Sequence, residues 1–155
     1  MLASCPDVEI LTSLRGEYQR DVARDAFLAV ADRLRGIDAV LCANDVMALG
    51  VLDALAVTGN PGRPLVVGVN AIPEAIAAIA AGQMLATANF DAMAMSSIAT
   101  EAAVRHLRGE AIPREIIIPV KIVDAANCSA WNLPFEARAC PSWQDLTGLR
   151  RRDIG

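Results

Sequence analysis

Aromatic side chains are scarce in this sequence: they make up 4% of its 155 residues, although 54% of the residues are hydrophobic. The core must therefore be built mainly from alanine, valine, isoleucine and leucine, which suits helices packed closely on a buried sheet. Basic charge is also scarce, because the formal net charge at pH 7 is -4. A broad basic face is therefore excluded, and nucleic acid is not expected as a direct partner.

Long apolar runs are missing as well. No stretch reaches the length of a membrane-spanning helix without a charge or a turn residue, so membrane insertion is not expected. Met1 is followed almost at once by Pro6-Asp7, so the sequence here does not have the pattern of a signal peptide.

Patterns of catalytic residues are absent too. The single histidine, His106, lies in a predicted helix beside Arg105 and Arg108, as a solvated surface residue would. No serine, cysteine or lysine has an evident base partner, and no glycine-rich loop follows a strand in the phosphate-binding pattern. The sequence therefore predicts a protein that is not an enzyme and that has no cofactor.

The cysteines have no metal-binding spacing. There are four of them: Cys5, Cys42, Cys128 and Cys140. Cys42 lies in an apolar strand and is predicted to be a small core residue. Cys128 and Cys140 flank a loop, and they either pair in an oxidising compartment or remain free. We therefore predict no metal site.

Strand and helix alternate along most of the chain. Strands are predicted at residues 8–11, 38–43, 65–69, 85–88 and 115–123, and helices at residues 17–35, 46–58, 73–82 and 91–108. This alternation is typical of an α/β fold with a parallel sheet and helices on both faces. Beyond Asn127 the periodicity fades, and an irregular, packed tail is predicted over residues 128–155.

Amide side chains follow three successive strands. Asn44 comes after the second predicted strand, Asn70 after the third, and Asn89 with Phe90 after the fourth. In sheets of this kind the binding crevice lies beyond the carboxyl ends of the strands. Amides donate and accept hydrogen bonds, which suits hydroxyl groups, and an aromatic ring offers a flat apolar face to a sugar.

Each of these residues also has a purely structural interpretation. Asp45 is most simply the N-cap of the helix at residues 46–58, and Asn44 either shares that cap or points its amide into the crevice. Asn70 either shapes the turn before the next helix or faces a ligand, and Phe90 either fills the core or stacks on one.

Three stretches together resemble the class I periplasmic sugar-binding proteins, the ribose-binding-like group: CANDVMALGVLDAL, VVGVNAIPEAIAAIAAGQMLATANFDAMAM and HLRGEAIPREIIIPVKIV. The resemblance runs from about Pro6 to Asn127. It implies one lobe, with flavodoxin-like strand order, of a two-lobed periplasmic receptor. Such a receptor traps a sugar or polyol between its lobes and delivers it to an ABC transporter permease.

The resemblance also implies site residues. Asn44 matches the family's asparagine that bonds sugar hydroxyls. Asn70 falls where the family usually has an aspartate, and Phe90, next to Asn89, falls where a glutamine often lies at the crossover between lobes. These two departures leave the identity of the sugar open, since a carboxylate binds hydroxyls more strongly than a neutral amide does.

The resemblance covers only the C-terminal half of such a receptor. It implies that residues 1–127 form an incomplete ligand-binding lobe and that the helix at residues 91–108 belongs to the other lobe. The apolar side chains on that helix would then lack a partner and promote self-association. They are Met95, Ile98, Ala99 and Ala102.

A second family has the same fold. The effector domains of lactose-repressor-like transcriptional regulators also carry strings similar to ANDVMALG, so a regulator is the alternative to a receptor. No DNA-binding helices are recognised in the sequence. An upstream reading frame with a signal peptide would favour the receptor, and one with a helix-turn-helix would favour the regulator.

Overall fold

A four-stranded sheet forms the centre of the fold in the computed structural model, which describes residues 7–59 and 62–148. Its strands are β1 (Ala39–Leu41), β2 (Leu65–Val69), β3 (Ala86–Asn89) and β4 (Lys121–Asp124), and they lie side by side in that order. β1, β2 and β3 are parallel, whereas β4 runs antiparallel to β3. The predicted α/β class is confirmed, and Cys5 lies outside the described residues.

Five α-helices accompany the sheet in the described part of the chain. They are α1 (Arg20–Leu28), α2 (Asp45–Thr58), α3 (Pro73–Ala80), α4 (Ala92–Leu107) and α5 (Trp143–Thr147). Short 3-10 helices lie at Ala31–Leu34, Cys128–Trp131 and Phe135–Ala137. No described helix combines the length and the apolar character needed to cross a bilayer.

The core lies between the sheet and helices α1, α2 and α3. α2 has few polar positions and packs against both β2 and α1, so it is buried on more than one side. Gly50 makes the α1 contact possible, because a Cβ there would collide with the backbone carbonyl of Arg20. The largest fully buried apolar side chains are Phe27, Ile76, Ile79, Val66 and Val123.

One face of the sheet is less covered than the other. Helices α2 and α3 contact each other and pack beside β2 and β3. The strand register places Leu41, Leu65 and Ile122 on one common face. These side chains are 75%, 52% and 59% exposed, so no described element covers that part of the sheet.

Two predicted strands differ from the structure. Residues 8–11 form no strand, and Val8 and Ile10 are 54% and 63% exposed. A strand needs a neighbour to bond, and within the described residues β1 pairs with β2 alone. The predicted strand 115–123 shrinks to β4, because Pro119 has no N–H with which to extend the ladder.

The predicted helix 17–35 is also interrupted. Glu17 and Tyr18 have φ values of 49° and 57°, so the helix begins only at Arg20. It ends at Leu28, and a 3-10 turn follows. The other helices agree closely with prediction, and Asp91 caps α4 as expected by accepting a hydrogen bond from the N–H of Ala94 at 3.0 Å.

The C-terminal segment contains more regular structure than predicted. Ser142 and Asp145 form a reciprocal capping box that begins α5. Trp143 is buried, and the Arg105 guanidinium of α4 lies 4.8 Å from the centre of its ring. The segment therefore packs against α4. Cys128 and Cys140 are free thiols, one buried and one exposed.

Candidate functional site

The carboxyl ends of β1, β2 and β3 are joined by one buried carboxylate. Asp45 follows β1, is fully buried, and accepts hydrogen bonds from the hydroxyl of Thr87 at 2.6 Å and from the N–H of Ile72 at 2.9 Å. The Thr87 hydroxyl in turn accepts the N–H of Ala71 at 3.2 Å. A single side chain therefore ties the end of β1 to β3 and to the turn after β2.

Gly68 makes room for this carboxylate. A Cβ on Gly68 would collide with Oδ1 of Asp45 and approach the Met84 side chain. The glycine in the middle of an apolar strand is thus explained by the close approach of Asp45 beneath the sheet.

The turn after β2 has an unusual backbone. Asn70 and Ala71 have φ values of 120° and 55°, a region that residues with a side chain rarely adopt. Such residues cost about 1–3 kcal/mol each and persist only where the surroundings hold them. Here the N–H of Asn70 bonds to the carbonyl of Ala88 at 2.9 Å, and Asp45 and Thr87 hold the next two residues.

Burial governs the protonation of this region. It raises the pKa of the Asp45 carboxyl, although the hydrogen bonds from Thr87 and Ile72 and the nearby N–H of Ala71 act in the opposite direction. Burial, assisted by the charge of Asp45, raises the pKa of the Cys42 thiol to about 11. Cys42 is therefore an uncharged neighbour at neutral pH rather than a nucleophile.

The predicted division of roles between Asn44 and Asp45 is wrong. Asn44, not Asp45, is the N-cap of α2, since its Oδ1 accepts the N–H of Met47 at 2.8 Å. Asp45 is the first helical residue and points under the sheet instead. The reason is geometric: a cap residue needs an extended backbone, and Asn44 has φ -150° and ψ 170°.

The Asn44 amide is also less free than predicted. Asn44 is 9% exposed, and its Nδ2 donates to the carbonyl of Tyr18 at 3.3 Å. Both polar atoms therefore bond to backbone, which contradicts the expectation that the amide points freely into the crevice. One N–H and one lone pair remain uncommitted. A direct ligand contact by Asn44 stays a prediction.

Asn70 differs from the other amides. It is half-buried at the end of β2, and its side-chain amide has no hydrogen-bond partner within residues 7–59 and 62–148. Asn89, by contrast, is 5% exposed and accepts the N–H of Asp91 at 3.0 Å, while Phe90 is half-buried beside it. Adjacent strands lie about 4.8 Å apart, so the three strand ends span roughly 10 Å.

Tyr18 is an addition that the sequence did not indicate. Its carbonyl accepts a hydrogen bond from the Asn44 amide, which places its backbone beside the end of β1, and the residue is 70% exposed. In a chain with 4% aromatic residues, an exposed tyrosine next to a positive-φ turn is uncommon. The turn itself has no clear sequence signal, because Glu17 and Tyr18 are not residues that favour a positive φ.

The described residues contain no cluster of histidine, cysteine, aspartate or glutamate that could hold a metal ion. The chemistry available at this edge is therefore that of neutral amides, a buried carboxylate and aromatic rings. Such groups can bond hydroxyls and stack on apolar sugar faces, but they form no nucleophile–base pair.

Comparison with known proteins reveals clear relatives. The chain is 32% identical over 124 residues to a putative rhizopine-binding protein of Rhizobium meliloti, an alignment that covers 79% of this chain and 40% of that protein. It is 42% identical over 80 residues to the D-allose-binding periplasmic protein of Escherichia coli K12, covering 52% and 26% of the two chains. The chain thus spans less than half the length of either relative.

A solved structure has the same fold. An ABC transporter periplasmic solute-binding protein from Actinobacillus succinogenes 130z, with bound D-allose, superposes with a TM-score of 0.77 at 26% identity. The superposition covers 83% of this chain and 46% of that one. The family model described as a periplasmic binding protein domain matches residues 1–111. This chain therefore belongs to the periplasmic binding protein family.

Proposed function

We propose that this chain is part of the solute-binding component of a bacterial ABC importer and binds a sugar or polyol at the carboxyl edge of its sheet. The observation that carries the proposal is the side-chain amide of Asn70. It is half-buried at this edge, has no hydrogen-bond partner in the described part of the chain, and stands on a backbone held by several hydrogen bonds. A polar group kept in that state is suited to a ligand hydroxyl.

The other edge residues would complete the site. The uncommitted donor of Asn44 and the amide of Asn89 would bond further hydroxyls, while Phe90 and the exposed ring of Tyr18 would cover apolar sugar faces. The strand-end span of roughly 10 Å allows one small ligand to reach more than one amide.

The relatives support a receptor over a regulator. Two of those named above are binding proteins by name, and the solved structure holds D-allose. By the same argument the chain binds its solute without catalysing a reaction on it. The full-length receptor would work in the periplasm and deliver the solute to a permease. The sugar of this chain is not specified by these names, because Asn70 and Phe90 depart from the family pattern.

The affinity for a sugar is limited because this chain supplies one of the two lobes that enclose a ligand, a half-site. A micromolar receptor complex corresponds to about 8 kcal/mol, so one lobe that supplies half of that binds at about a millimolar. Water competes for hydrogen bonds at an open half-site, which weakens binding further. We therefore expect the 155-residue chain alone to bind no sugar more tightly than about a millimolar.

Nuclear magnetic resonance titration with D-allose and myo-inositol tests the proposal. We expect saturating shifts at Asn44, Asn70 and Phe90 in the millimolar range, their loss in Asn70→Ala, and their retention in Gln83→Ala. Gln83 carries an exposed amide just before β3, at the opposite edge of the sheet. Absence of any shift at these residues up to about 0.1 M of either ligand would contradict the proposal.

A further inference from the structure

The C-terminal segment returns to the strand-end edge through one arginine. Nη1 of Arg138 donates to the carbonyl of Ala71 at 2.7 Å. The same guanidinium donates to the carbonyls of Trp131 at 3.2 Å and Leu133 at 3.1 Å. Arg138 is thus bonded to its own segment and to the strained turn that follows β2.

Aromatic rings hold the guanidinium in this position. It lies 4.5 Å from the centre of the Phe135 ring and 5.7 Å from that of Trp131. Trp131 packs against the hydrophobic core, and its 3-10 helix contacts α3. The Arg138 side chain is therefore held by aromatic rings, and one of these, Trp131, is itself packed against the core.

The surroundings of Arg138 place it at the proposed site. Burial lowers the pKa of its guanidinium, and the negative charge of Asp91, the residue after Phe90, opposes that change. Arg138 thus bonds to the turn that carries Asn70 and lies within electrostatic range of Asp91. Its position is outside residues 1–111, the part of the chain that matches the family model.

The turn needs this contact. Ala71 is fully buried with φ 55°, and its N–H is bonded by Thr87. A buried carbonyl also requires a donor, and Arg138 is the donor that Ala71 has among the described residues. If the carbonyl lost this bond, the turn would relax toward an ordinary backbone, and the Asn70 amide would move with it.

We propose that Arg138 is a positioning residue for the sugar site: by bonding the Ala71 carbonyl, it fixes the direction of the Asn70 amide. This inference rests on the proposed function. Arg138 would act through the turn, since three of its five N–H groups donate to backbone carbonyls, one of them that of Ala71.

The test compares Arg138→Gln and Arg138→Lys with Arg35→Gln. Arg35 forms an exposed ion pair with Asp32 just before β1, at the opposite edge of the sheet, and is the matched control. Amide hydrogen exchange at Asn70, Ala71 and Ile72 is measured without ligand, and D-allose titration follows shifts at Asn44 and Phe90.

We expect Arg138→Gln to accelerate exchange at Asn70, Ala71 and Ile72 selectively and to weaken D-allose binding roughly fivefold. Arg138→Lys should fall in between, because lysine keeps a donor but lacks the planar fork. Arg35→Gln should match the parent chain in both measurements.

Two outcomes would overturn the positioning role: unchanged exchange at Ala71 in both Arg138 variants, or faster exchange spread evenly over the sheet. If D-allose binds no form of the chain, the proposed function fails for this ligand, while the exchange measurement still decides whether Arg138 holds the turn.

Discussion

Single side chains determine how the carboxyl edge of the sheet is built, and Thr87 has two roles there. It donates to Asp45 and accepts from the N–H of Ala71. Thr87→Val should leave Oδ1 of Asp45 and the N–H of Ala71 without their partner and lower the free energy of unfolding by about 2 kcal/mol. Thr87→Ser keeps the hydroxyl and should lose less than about 1 kcal/mol. Urea unfolding curves measure both, and equal losses would contradict this role of the hydroxyl.

The Asp45 carboxyl predicts a pH dependence of stability. Its pKa in the folded chain is raised by burial above the unfolded value of about 3.9. Its contribution is therefore fully present below about pH 4 and is lost as the pH rises through the folded pKa. Relative to Asp45→Asn, the parent chain should lose stability over that interval and then level off.

Asp53 provides a control of opposite sign. The hydrogen bond from Arg20 lowers its pKa, so its contribution is present above the unfolded pKa and is lost as the pH falls. Urea midpoints are measured for the three chains between pH 3 and 8. The midpoint of the parent minus that of Asp45→Asn should fall as the pH rises, whereas the midpoint of the parent minus that of Asp53→Asn should rise. If the two differences change in the same direction, burial does not raise the pKa of Asp45.

At this scale the sequence placed side chains at the edge of the sheet better than it assigned their hydrogen-bonding roles. Asn44, Asn70 and Phe90 follow strands and Asn89 ends one, so the rule that ligands bind beyond the carboxyl ends of parallel strands is enough to select them as candidates. The exchange of roles between Asn44 and Asp45 depended on Gly68 and Thr87, which lie far away in sequence. No local propensity reports that a carboxylate will find a hydroxyl 42 residues later.

Among the elements, the α1–α2 pair depends on Gly50. Gly→Ala in an exposed helix usually stabilises by about 1 kcal/mol. Here a methyl group would collide with the backbone of α1 at Arg20, so we expect Gly50→Ala to destabilise by about 2 kcal/mol instead. Val57→Ala, at a side chain that is 77% exposed on the same helix, should change little. Thermal unfolding of both variants checks the prediction, which fails if Gly50→Ala is stabilised.

The elements best predicted from sequence are those that carry their own signals. β2 is an apolar, valine-rich run apart from Gly68, Pro73 begins α3, and Asp91 caps α4. The strand predicted at residues 8–11 has the right composition, but composition cannot supply the neighbour that a strand requires. The positions where strands and helices end therefore depend on hydrogen-bonding neighbours elsewhere in the chain, which the local residue pattern does not report.

Within the described residues, helix α4 exposes apolar side chains on two opposite sides. Of the four side chains predicted to lack a partner on α4, Met95 is 48% exposed but Ile98 is buried. Met93, Val104 and Leu107 are 50%, 40% and 85% exposed, but at about 100° per residue they lie on the opposite side of the helix from Met95. Self-association through the side that carries Met95 stays a prediction.

A charge on that face should suppress self-association. Met95→Glu places a carboxylate on the side of α4 that carries Ala99 and Ala102 and should shift the chain toward monomer in sedimentation velocity at micromolar concentration. Val57→Glu puts the same charge on an exposed position of α2 and serves as the control. A parent chain that is already monomeric, or an equal effect of both variants, would rule out this face as the contact.

The bond between Arg138 and Ala71 joins residues 67 positions apart. Closing a loop of that length costs roughly 4 kcal/mol of chain entropy at 25 °C, whereas one hydrogen bond returns about 1 kcal/mol. The bond therefore cannot nucleate folding, and it forms only after β2, β3 and α3 have shortened the loop. During refolding the chain acquires its sheet first and its finished strand-end edge last, so changes at Arg138 act on how fast the native state opens rather than on how fast it forms.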